Sequence, residues 1–85
     1  MFYEVKVVCR YCSHEFWAAT VEADAQHVLN GLLEVQCPEN ANFIQFRISD
    51  GRKPKWDKAW IFHATEWRPV ERLTTGYPTA RVVGE

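Results

Sequence analysis

Apolar and polar residues alternate with a period of two over residues 2–9, FYEVKVVC, which puts Tyr3, Val5, Val7 and Cys9 on one side and Phe2, Glu4, Lys6 and Val8 on the other. That period predicts a β-strand. Residues 15–23, EFWAATVEA, alternate again, with Trp17, Ala19, Val21 and Ala23 against a more polar face. The two segments predict a hairpin with CRYCSH at its tip. Asp24 can cap a helix by accepting from backbone N–H groups that otherwise have no partner. The following AQHVLNGLLEVQ, residues 25–36, then places Ala25, Val28 or Leu29, Leu32 and Val35 on one stripe, the pattern of a helix covering a core. Gly31 in its interior costs about 1 kcal/mol relative to alanine, so such a helix needs tertiary packing to hold it. Pro38 ends it. Residues 43–49, FIQFRIS, alternate Ile44, Phe46 and Ile48 with Phe43, Gln45 and Arg47, and residues 59–67 alternate Trp60, Phe62 and Ala64 with Ile61, His63 and Thr65. These predict a second hairpin.

Between those strands, Asp50-Gly51 and Pro54 mark an exposed loop. Beyond Arg68-Pro69, Gly76, Pro78 and Gly84 interrupt any period, which predicts an extended C-terminal arm. The expected fold is therefore α+β: a small antiparallel sheet in β-β-α-β-β order, one helix packed on one face, and the arm. A single domain would span residues 1–68 and the arm residues 69–85. On this reading a chain ended after Leu73 keeps its fold and associates more weakly.

Composition sharpens the picture in three places. At 47% hydrophobic and 14% aromatic residues, the 85-residue chain can fill one core and is expected to be folded rather than disordered. It is just above the size at which small scaffolds usually need a staple. The net charge of −1 conceals an asymmetry, because residues 1–40 hold two basic and six acidic side chains whereas residues 47–58 hold five basic and two acidic. One edge should be locally positive. No apolar run approaches the roughly 20 residues of a membrane span, and the N-terminus shows no basic segment followed by an apolar one. A soluble, cytoplasmic protein without a membrane role is the expectation. Three cysteines cannot all pair within one chain, so reduced thiols or thiolate ligands are expected instead of a disulfide framework.

CRYCSHEF, residues 9–16, has an internal echo in CPENANFI, residues 37–44. Cys9, Cys12 and Phe16 of the first correspond to Cys37, Asn40 and, with one residue deleted, Phe43 of the second. The pair resembles the two knuckles of a zinc ribbon, whose general pattern is CxxC followed by CPxC; here it is degenerate, CxxC followed by CPxN, and the likeness covers those two segments alone. The resemblance implies a structural zinc ion held by Cys9, Cys12 and Cys37, since thiolates two residues apart turn into one tetrahedral shell. The 24 residues between Cys12 and Cys37 exceed the usual spacer of about 15 to 20. His14, His27 and His63 are candidates for the fourth ligand, with His14 nearest in sequence, whereas the Asn40 amide is a poor donor for this ion. The plainer alternative makes Cys9 and Cys37 small core residues and Cys12 a turn thiol, with the metal lost.

A second group, Arg52, Lys53, Lys55 and Trp56 with Lys58 and Trp60, has the mix of cations and indoles that neutralises phosphates and stacks on bases. Its plainer alternative is a solvated charge run that protects a sheet edge, with Trp60 in the core. There is no GxSxG, Walker or HExxH motif to support acyl transfer or nucleotide hydrolysis. No small-molecule substrate is indicated, and enzymatic activity is not expected. The sequence is read first as a small protein-interaction module, of accessory or phage-regulator kind, that meets a protein partner or a second copy of itself. A nucleic-acid-binding protein using the basic loop, and a small cysteine-dependent enzyme, are the alternatives.

Overall fold

The computed structural model describes residues 2–21, 25–49, 55–56 and 61–84; of Ala25, His27, Lys55 and Trp56 the backbone alone is described. The first hairpin forms where the alternation places it, as β1 (Phe2–Val8) and β2 (Glu15–Thr20). Tyr3, Val5, Val7 and Cys9 are buried as the period requires. In β2 the buried face is Phe16, Ala18 and Thr20, with Ala19 also covered, while Trp17 is half-buried and Val21 exposed. The small side chains from Ala18 to Thr20 let both faces of this strand be covered, so alternation alone picks the wrong one.

The expected helix is split. A short α1 (Ala25–Asn30) gives way at Gly31 to β3 (Leu32–Gln36). Leu33, Val35 and Cys37 are all buried, which is a period of two, not of 3.6. Gly31, a poor helix former, stands at the break, and α1 inserts Val28 into the core. The Arg47 guanidinium lies 3.4 Å from the Asn30 carbonyl at the end of α1, where helical C=O groups lack intrahelical partners.

β4 (Phe43–Ile48) returns antiparallel to β3 and buries Ile44 and Phe46. The short β5 (Lys55–Trp56) and β6 (Phe62–Ala64) follow, then β7 (Trp67–Val70) and β8 (Thr79–Gly84). One eight-stranded sheet results, in the order β5-β6-β4-β3-β8-β2-β1-β7. The α+β arrangement with one packed helix and a trailing arm is thereby corrected to a nearly all-β, almost closed barrel-like sheet. Closure comes from the chain itself. β6 and β7 stand near opposite ends of the strand order, yet Thr65 and Glu66 alone separate them, and the Lys6 N–H donates to the Glu66 carbonyl at 2.9 Å.

Two pairings depart from the expected antiparallel pattern. β6 lies parallel to β4, so the second hairpin is not formed, and β8 lies parallel to β2. The segment read as an arm supplies a central strand. β8 begins on β2, with Thr79 and Ala80 opposite Ala19 and Thr20, and ends antiparallel to β3, with Arg81 opposite Glu34 and Gly84 opposite Leu32.

An ion pair with one buried partner fastens the remaining segment. Glu4, on the polar side of β1, keeps a side chain only 2% exposed and accepts from Arg68 Nε at 2.8 Å and from the Thr74 N–H at 2.9 Å. Thr74 and Arg68 together outweigh burial and hold this carboxyl below its ordinary value of 4.5. The Arg68 guanidinium also lies over the Trp17 ring, 4.4 Å from its centre, a favourable cation–π contact. β1, β2, β7 and the approach to β8 are thus tied at one point.

Candidate metal centre

The strand order brings the two echoing segments to one end of the sheet. β2 is parallel to β8 and β8 antiparallel to β3, so the start of β2 and the end of β3 face the same way. The β1–β2 connection carries Cys9 and Cys12, and the β3–β4 connection carries Cys37 and Asn40.

The two connections share one backbone design. In the first, the Cys9 N–H donates to the His14 carbonyl at 3.0 Å and the Ser13 N–H to the Cys9 carbonyl at 2.9 Å. In the second, the Cys37 N–H donates to the Asn42 carbonyl at 2.8 Å and the Ala41 N–H to the Cys37 carbonyl at 3.0 Å. Ser13 and Ala41 occupy the same left-handed position, with φ of 60° and 62°. Cys12 and Asn40 are therefore equivalent, as the sequence echo predicts. Its one-residue deletion is not needed: counted without a gap, Phe16 matches Ile44, and both are buried, whereas Phe43 is 61% exposed.

Left-handed φ costs a residue with a Cβ roughly 1–2 kcal/mol, a cost glycine escapes. Ser13→Gly and Ala41→Gly are each expected to raise stability by up to about 1 kcal/mol, part of the gain being returned as unfolded-chain entropy. Urea midpoints for the two variants check this, and a decrease at both positions would contradict the shared turn.

The design brings three sulfurs together. Sγ of Cys9, Cys12 and Cys37 all lie within 4.8 Å of one another, with Cys12 and Cys37 3.9 Å apart. A tetrahedral zinc with Zn–S bonds of about 2.3 Å spaces its sulfurs by about 3.8 Å, so the cluster has the dimensions of three corners of such a shell. Cys9 and Cys37 are buried and Cys12 is exposed. Burial opposes ionisation of Cys9, but the Asn40 amide and the backbone N–H groups of Tyr11 and Cys12 at its sulfur prevail, bringing its thiol down to about 7. At Cys12 the backbone bond with His14 favours the thiolate, and partial burial with the Cys9 and Cys37 thiols beside it outweighs that bond, so this thiol is pushed up.

Asn40 holds the place where the ribbon pattern has its fourth cysteine. Its Oδ1 accepts from the Asn42 N–H at 3.0 Å, and this turns Nδ2 toward Cys9 Sγ, 3.4 Å away. The amide thus offers the cluster a donor hydrogen, not a lone pair, and stabilises negative charge on sulfur. His14 directs Nε2 to Glu39 Oε1 at 3.6 Å and stacks its ring near Phe16; the group of mutually close sulfurs does not include it. His63 places Nδ1 3.2 Å from the Ser49 hydroxyl. The side chain of His27 lies outside the described residues, as do Arg52, Lys53 and the side chains of Lys55 and Trp56 in the basic loop.

Sequence reasoning missed the cross-knuckle pair of His14 and Glu39 and the orienting role of Asn42. Neither belongs to a pattern of ligand types; the gap-free echo of His14 in Asn42 was the available signal. Comparison with known proteins returns no match to a family model, a curated protein or a solved structure. Among the described residues no helix is long and apolar enough to cross a membrane.

Proposed function

We propose that this chain is a small protein-interaction module whose two knuckles are cross-linked by a zinc ion held by Cys9, Cys12 and Cys37. The convergence of three sulfurs from two backbone-equivalent turns is the observation that carries the reading. Zinc suits the donor set: the ion is borderline soft, thiolates are its structural ligands, and each is deprotonated on binding. With its Nδ2 donating to Cys9 Sγ, Asn40 would not supply a fourth ligand. Two large apolar side chains stand at the same end, Tyr11 in the first knuckle at 53% exposed and Phe43 just after the second at 61%. Exposed aromatics beside a rigid cross-link make a surface for a protein partner more readily than a substrate cavity.

The test is metal analysis and thiol counting on the full chain purified without added zinc. About one zinc per chain, with all three thiols unreactive until a chelator is added, is the expected result. Asn40→Cys should then tighten zinc binding at least tenfold, or about 1.4 kcal/mol, by completing the tetrahedron. A zinc-free protein with three reactive thiols that takes up none when zinc is supplied would sink the reading.

A further inference from the structure

Three chemically identical groups in the cluster are not equally placed. Cys12 is exposed, and its sulfur lies 3.9 Å from that of buried Cys37, 25 residues away in sequence on the other hairpin. Cys9 is buried, and its sulfur accepts from the Asn40 amide at 3.4 Å. Cys12 can be reached from solvent, Cys37 and Cys9 both lie beside it, and of those two Cys9 alone is held by the Asn40 amide.

We infer that the metal-free cluster is a thiol–disulfide exchange site, with Cys12 as the entry thiol, Cys37 as the resolving thiol, and a low-molecular-weight disulfide such as glutathione disulfide as the co-reactant. The inference uses the sulfurs of the proposed zinc site but does not require that zinc ever binds. In the first step the Cys12 sulfur, its proton given to solvent, attacks one sulfur of the small disulfide. A mixed disulfide forms on Cys12, the small S–S bond breaks, and the departing thiolate takes up a proton. In the second step Cys37, likewise deprotonated, attacks the Cys12 sulfur. The Cys12–Cys37 bond forms and a second small thiol leaves with a proton. Two protein thiols are oxidised by two electrons and one small disulfide is reduced to two thiols.

Little movement is needed. Closing the pair from 3.9 Å to the roughly 2.05 Å of a disulfide asks for less than 2 Å of sulfur travel. The product joins the β1–β2 and β3–β4 hairpins covalently at the end where a metal would join them, leaving Cys9 as the single free thiol. Oxidant and metal then compete for the same two sulfurs, and either one supplies the cross-link.

Linkage mapping tests this on the reduced, chelator-treated full chain incubated with glutathione disulfide, alkylated, digested and weighed by mass spectrometry. The expected product carries a Cys12–Cys37 bond with Cys9 alone alkylated. Cys37→Ser should accumulate the glutathione adduct on Cys12, and Cys12→Ser should form adduct at least tenfold more slowly. A principal Cys9–Cys12 or Cys9–Cys37 bond, or an unresolved adduct on Cys12 of the unaltered protein, overturns the proposal. The unaltered protein decides the matter, so no variant has to fold. A parallel sample with one equivalent of zinc separates the two readings: zinc protection with the wrong linkage in the metal-free sample sinks this one alone, while the right linkage formed equally fast with zinc counts against the zinc site alone.

Discussion

A chain ended at Leu73 is expected to lose cooperative folding altogether. The truncation removes β8, and with it the ladder onto β2 on one side and onto β3 on the other. The N–H groups of Ala19 and Val21 lose their acceptors on Pro78 and Ala80, and the buried Ala80 leaves the centre of the sheet. Thr74, one of the two donors to the buried carboxylate of Glu4, goes as well. A domain of this size has roughly 5–15 kcal/mol of stability in all. Each hydrogen bond lost is worth about 0.5–1.5 kcal/mol net, and with both ladders and the burial of Ala80 gone the loss is comparable to that total. Dispersed amide resonances and a thermal transition in the full chain, both absent from the truncated one, are the expected observation. A native melting curve for the truncated chain would mean that β8 is not a central strand. Ala80→Asp in the full chain probes the same position, since an unpaired carboxylate there would be strongly destabilising.

Glu4→Ala is expected to cost roughly 2–3 kcal/mol, the worth of hydrogen bonds to a charged group. It leaves the Thr74 N–H and the Arg68 guanidinium without their acceptor. Arg68 is 49% exposed and can be rehydrated, which keeps the cost below that of breaking a fully buried pair. Acid should have a matching effect. The carboxyl of Glu4 is held below 4.5 in the folded chain, so its contribution is complete above that pH and is lost as pH falls through the lower folded value. Urea midpoints at neutral pH and on acidification below 4.5 check both points. The unaltered protein should lose stability steeply in the acid range, and Glu4→Gln should lose less. Parallel acid limbs for the two proteins would remove Glu4 from the account.

Where the fold was legible in the sequence, neighbouring side chains differed strongly in polarity. Residues 3–7 and 44–48 alternate large apolar with charged or amide groups, and β1 and β4 form there with the expected buried face. Residues 25–36 misled because Leu32 and Leu33 are adjacent, so the apolar positions satisfy a helical stripe and a strand alike; Gly31 marked the boundary, and the burial of Val35 and Cys37 decides it. Residues 67–84 hid two strands behind Pro69, Gly76 and Pro78. Pro69 sits in β7 at the end of the sheet order, where a missing N–H is tolerated. Pro78 precedes β8, and Gly76 adopts a left-handed turn before it. Parallel pairing leaves no local turn signal, so β2–β8 and β4–β6 could not be read from residue order.

The candidate site was more legible than the fold. A CxxC segment and its CPxN echo encode two copies of one turn, and the burial of Phe16 and Ile44 fixes their alignment. The part that stayed hidden was the function of the substituted position. Residue type marks Asn40 only as a poor zinc ligand, whereas its amide, turned by Asn42, donates to the sulfur of Cys9.

The position of β8 also sets an order of events during synthesis. The β1–β2 and β3–β4 hairpins can each pair locally, but the edges by which they join the same sheet stay open until residues 79–84 emerge from the ribosome. Folding then waits on contacts between distant parts of the chain, which places it in the millisecond-to-second range of β-rich domains. During that wait β2 and β3 present unpaired edges to any neighbouring chain, so nascent copies crowded on one message are at their most aggregation-prone just before the last strand arrives.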